Sequence, residues 1–111
     1  MSKRAIEEDF AFYAGCMGAV MGKSVDELLG RRTFELFMCR AMIARSLHDE
    51  GWSFNSIGKT MRRNHSTISY GIARLNVALT IRGYDDIVAI WKAYQGEVSR
   101  GTPVTPEPED V

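Results

Sequence analysis

Apolar residues along this chain recur at helical spacing, and almost nowhere do they alternate with period two. Phe10, Ala14, Met17 and Met21 line one face of a helix predicted from about Ala5 to Met21, with Gly22 as its stop. Ser24 and Glu27 form a capping-box pair that opens a short helix through Leu28 and Leu29. Thr33 is placed to cap a helix over roughly Phe34–Glu50. Its apolar residues, from Phe34 to Leu47, cover most of the circumference, so it belongs at the centre of the core. Ser53 caps a short helix to about Met61. After Arg62 and Arg63, Asn64 caps a longer one from His65 to about Ile81, with the stripe Ile68, Ile72, Leu75 and Leu79. Asp85 caps a last helix to about Tyr94. The pattern predicts an all-α, compact bundle of five to six helices, in a domain spanning residues 1–95. From Gly96 the chain is rich in Pro, Thr and acid without apolar period, and reads as a flexible acidic tail over 96–111.

Two features of the segment 53–81 give it a functional direction. A short helix, a tight turn and a longer helix make a helix-turn-helix, whose second helix puts its N-terminal residues against DNA. Ile57 and Met61, four apart, are placed to pack on Ile68 and Ile72, and Gly58 allows close approach. At about 100° per residue, the face opposite the apolar stripe carries Ser66, Tyr70, Ala73 and Val77, flanked by Thr67, Ser69 and Arg74. The end nearest the turn is small and polar, suited to base edges or phosphates. The plainer reading is a cap followed by a solvated first turn.

Charge favours the functional reading. The chain of 111 residues has zero net charge, but Gly51–Tyr84 holds no Asp or Glu, only Lys59, Arg62, Arg63, Arg74 and Arg82. A neutral protein with one basic face still steers and holds a polyanion. Length allows one domain. Cys16 and Cys39 lack metal-site spacing and read as buried thiols. His48, Asp49 and Glu50 diverge around a helix and do not converge on one ion. Gly22-Lys23-Ser24 imitates a phosphate-binding loop, but Met17 stands where the pattern needs Gly. A helix stop and a cap explain those residues better. No cofactor, small-molecule substrate or enzymatic constellation is expected. No leader or membrane-length apolar run is visible, so a cytoplasmic, non-membrane protein is expected.

Ile57-Gly58-Lys59 followed by Arg63-Asn64-His65-Ser66-Thr67-Ile68 resembles the signature of the C-terminal DNA-binding domain of the bacterial chromosomal replication initiator DnaA. Val25–Leu29 resembles the helix before that family's basic loop, and Arg40–Leu47 its central helix, so residues 5–95 are covered. The resemblance implies a Trp-repressor-like helical fold of bacterial or phage origin that binds short sites on double-stranded DNA. By position, Asn64, His65, Ser66 and Thr67 would meet bases, and Arg31 or Arg32 would reach the minor groove. Arg40, Arg45, Lys59, Arg62, Arg63 and Tyr70 would serve phosphates or the groove margins. The chain departs from the family pattern at Asn64, usually Asp, and at Arg62, usually Gly. It is also too short for the initiator's ATPase. The expected use is transcriptional regulation, or control of replication or a mobile element. The competing reading is a protein-interaction or inhibitor module, with a protein partner or homodimer in place of DNA.

Overall fold

The computed structural model describes residues 5–30 and 32–101. All its regular elements there are helices: α1 (Ile6–Met21), α2 (Val25–Gly30), α3 (Phe34–Asp49), α4 (Phe54–Met61), α5 (His65–Ala78) and α6 (Asp85–Gly101). Helix α3 packs against each of the other five. Its sequence explains that position. Met38, Cys39, Met42, Ile43 and Leu47 are wholly buried, and Leu36, Ala41 and Ala44 nearly so; Phe34, in the first turn, is instead exposed, its ring 6.0 Å from that of Tyr84. A helix apolar on most sides is stable only when surrounded.

Local signals place the helix ends. Gly22 is left-handed and stops α1. The Ser24–Glu27 capping box forms in both directions: Glu27 N–H donates to Ser24 Oγ at 3.2 Å, and Ser24 N–H to Glu27 Oε1 at 2.9 Å. Thr33 accepts from Leu36 N–H at 3.1 Å. These bonds satisfy helix N–H groups that have no intrahelical partner.

Three helix details differ from the periodic reading. The face of α1 is wider than Phe10–Ala14–Met17–Met21: Tyr13 and Cys16 are buried as well, while Phe10 and Met21 are partly so. Both α3 and α6 pack on this helix, and two neighbours bury a broader face than one. Helix α5 ends at Ala78, short of Ile81. Thr80 Oγ1 donates to the carbonyls of Val77 at 3.0 Å and Asn76 at 3.3 Å, a side-chain bond that competes with continued helix. Helix α6 runs to Gly101 rather than ending near Tyr94, so residues 96–101, expected in the tail, are helical. Val98 continues the period Ile87, Ile90, Trp91, Tyr94 and packs on the core. Phe12 of α1 lies against Gly101, where an added Cβ would come within 3.1 Å of the ring. The rest of the expected tail lies outside the described residues.

Polar side chains fix how the helices sit. The half-buried Trp52 indole donates to the buried Asp9 carboxylate at 2.8 Å, Tyr13 donates to Glu50, and Ser46 shares a 2.7 Å bond with Tyr94. Together they tie α1, the α3–α4 turn and α6. Half-buried Phe54 stacks on His48 at 4.4 Å. Among the described residues, no helix is long and apolar enough to cross a membrane.

Candidate nucleic-acid interface

The segment α4–turn–α5 is built on backbone contacts that dictate its residues. Ser53 Oγ caps α4 through Ser56 N–H at 3.1 Å. Arg63 N–H closes the turn onto Gly58 O at 2.8 Å. A Cβ at position 58 would lie 2.5 Å from the Arg63 carbonyl oxygen, so only glycine fits. The close approach expected of Gly58 is therefore to the turn's own backbone, not to the body of α5. Arg62 takes φ 60°, the one positive φ of a non-glycine residue among those described. For an L side chain this costs on the order of 1 kcal/mol. It is the position at which the resemblance places a glycine.

Asn64 then opens α5. Its Oδ1 accepts from Thr67 N–H at 2.9 Å, Thr67 Oγ1 at 3.1 Å and Ser66 Oγ at 2.8 Å. A backbone N–H only donates, so the inward atom is the amide oxygen. Its Nδ2 donors are left for the outside. The acceptor and donor of Asn64 are thus not both available to one base, and the paired contact with adenine that an Asn side chain allows would require breaking the cap. His65, Ser66 and Thr67 are exposed. His65 does not tuck under the turn. Tyr70, one turn further, is 59% exposed, with its ring 6.2 Å from that of Phe37. The opposite side is buried through Ile68, Ile72 and Leu75. Gly71 and Ala78 are buried there too, which the large-residue stripe did not reveal; Gly71 faces Ala41 and Phe37.

Two grooves flank the first turn of α5. One, of about 700 Å³, lies between the α2–α3 connection, α3 and α5, and carries Arg32, Arg40, Arg63 and Thr67. The other, shallower, runs along the turn with Asn55, Lys59, Arg62, Arg63, Asn64 and His65, so the two grooves meet at Arg63. His65 and Thr67 stand about 200° apart around the helix, so the grooves lie on different sides of it. No carboxylate lines either groove among the described residues. The helix start therefore stands between two cationic margins, with its own free N–H groups adding partial positive charge.

The arginines are held differently. Arg40 donates to Leu28 O at 2.9 Å. Burial, and next the charge of Arg63, push its guanidinium below the ordinary arginine value. Half-buried Arg63 bonds the carbonyls of Leu29, Met61 and Arg62, tying α2 to the turn. Arg32, Lys59 and Arg62 are exposed. Arg45 is not brought to this cluster. It bonds Asn76 Oδ1 at 3.2 Å, pairs with Asp49 at 3.9 Å and lies 5.0 Å from the Trp91 ring centre. Arg31 lies outside the described residues. Asn55 and Phe37 join the grooves without any sequence signal beyond their helical register.

No family model, curated protein or solved structure matches this chain.

Proposed function

We propose that this protein binds double-stranded DNA site-specifically, inserting the N-terminal turn of α5 into the major groove as DnaA-like helix-turn-helix domains do. The observation that carries the reading is the exposed Asn64–Thr67 turn standing between two acid-free, cation-bearing grooves. Major-groove readers need that arrangement, because the two phosphate strands run along both sides of the inserted helix.

In this reading Lys59 and Arg62 serve one strand and Arg32 and Arg40 the other, with Arg63 at the junction of the two grooves. Asn64 Nδ2, His65, Ser66 and Thr67 face base edges, and Tyr70 lies along the groove wall. With Oδ1 engaged in the cap, Asn64 presents donors alone and selects an acceptor such as guanine O6 or N7, or adenine N7. Arg45 takes no part. The biological setting is transcriptional regulation or control of replication or a mobile element.

Selection of bound sequences from a random duplex library tests this, followed by a salt titration on the selected site. A defined motif is expected, with affinity falling steeply between low and moderate salt. A salt-independent affinity, or no enrichment, overturns the proposal.

A second reading has its own observation. Phe34, Val77 and Ile81 are large apolar residues about half exposed, together with Tyr70. They suit a protein partner or a second copy of the chain. Sedimentation over a range of protein concentrations tests the homodimer: a mass that stays monomeric rules it out.

A further inference from the structure

The larger groove has chemistry that reading a duplex does not require. Buried Ala41, Met61 and Ile68 and half-buried Phe37 give it an apolar wall, and Arg32, Arg40, Arg63 and Thr67 make most of its exposed lining polar. Its volume, about 700 Å³, falls among those of small-molecule sites. Arg63 is fixed by carbonyl oxygens, which orient a guanidinium without cancelling its charge. Arg40 is fixed by Leu28 O. The two are near enough that the charge of one disfavours the other. An anion placed between them relieves that repulsion.

An apolar wall at Phe37 beside such cations suits an anion that carries a small apolar body. Phosphate suits it better than a single carboxylate. A phosphate monoester brings about −1.5 to −2 charges at pH 7 and three acceptor oxygens, enough for two guanidinium groups.

We propose that this groove is a binding site for a small organic phosphate, a monoester with a planar body such as a nucleoside monophosphate. The phosphate sits on Arg40, Arg63 and Arg32, and the body lies over Phe37. Thr67 belongs both to this groove and to the exposed turn of α5, so a bound ligand competes with duplex. That competition rests on the DNA reading; the site itself does not. A DNA backbone phosphate reaches the same arginines, and the two sources are separable by experiment.

The test is an amide NMR titration of the full chain at constant ionic strength with adenosine monophosphate, adenosine and inorganic phosphate in parallel. The monophosphate is expected to give saturable shifts confined to the groove lining, at Phe37, Arg40, Arg63, Thr67 and Gly71 among others. Inorganic phosphate should bind more weakly, and adenosine should give none. Arg40→Gln should weaken the monophosphate by about tenfold or more, the loss of one charge-assisted contact. Arg32→Gln, at an exposed position that leaves the core intact, should weaken it in the same direction. Lys92→Gln, exposed on α6 outside the groove, should change nothing. Shifts that never saturate, equal response to inorganic phosphate, or unchanged binding in both arginine variants overturns the site. Duplex binding without monophosphate binding defeats this inference and leaves the DNA reading standing. Monophosphate binding without duplex binding does the reverse.

Discussion

The side-chain oxygen of Asn64 is bound by Thr67 twice, through its backbone N–H at 2.9 Å and its hydroxyl at 3.1 Å. One residue thus holds the start of α5 and turns its remaining donors outward. Asn64→Ala should cost about 0.5–2 kcal/mol of stability, the usual loss for an N-cap. Asn64→Asp should keep the cap, because a carboxylate oxygen accepts the same N–H and is favoured at a helix N-terminus. Under the DNA reading, the outward group then changes from donor to acceptor, and site preference should move toward cytosine, whose amino group donates. Thermal melts and sequence selection on both variants check this. An unchanged preference in Asn64→Asp would show that Asn64 caps and does not read.

Gly58 and Gly15 are both helical glycines, yet they should respond oppositely to alanine. At Gly58 the new methyl would meet the Arg63 carbonyl oxygen at 2.5 Å, and backbone cannot swing aside as a side chain does. The turn must open, at about 1–3 kcal/mol. Gly15 is exposed in α1 with nothing within 4 Å of such a methyl. Gly15→Ala should stabilise by about 0.5–1 kcal/mol through helix propensity alone. Urea denaturation midpoints that move the same way in both would refute the tight-turn account.

What the sequence revealed was mostly local. The caps Ser24, Thr33, Ser53 and Asn64 make their bonds, because a cap depends on residues two or three positions away. Asp85, expected to cap α6, is instead its first helical residue, and Tyr84 stands at the cap, its carbonyl accepting from Val88 N–H at 2.9 Å. The end of α6 was hidden. Gly96 and the run beyond it read as tail, and only packing of Val98 on the core and Phe12 against Gly101 continues the helix. The grooves were half legible. Arg40 and Arg45 are five positions apart on α3, about 140° around it, so they face different neighbours. The meeting of Arg40 with Arg63 and Leu28 needed the folded chain.

Stability should fall on the alkaline side for a reason located at Cys39. Burial pushes this thiol up to about 12, with Glu35 adding to the effect. The folded state therefore holds the proton more tightly than the unfolded chain, whose thiol titrates near 9.0. The resulting stabilisation is complete below the unfolded value and is lost as pH rises from there through about 12. Cys39→Ala removes the titrating group. Denaturation midpoints measured from pH 7 to pH 11 should decline less steeply in this variant than in the parent. Parallel declines would mean that the thiol is not held protonated by the fold.

Arg62 joins a strained backbone to an exposed charge, and the two can be separated. At φ 60° an arginine costs on the order of 1 kcal/mol that glycine avoids. Arg62→Gly should therefore raise the melting temperature, even though glycine also gives the unfolded chain more freedom. The same change removes a cation from the shallow groove beside Asn64 and His65. Under the DNA reading it should weaken binding to all duplexes alike and lower the salt dependence by about one unit, the signature of one lost phosphate contact. A more stable protein that binds DNA less well is the expected pair of results. Equal affinity and an equal salt slope would show that the turn arginine touches no phosphate, and its strained conformation would then have no account in DNA binding.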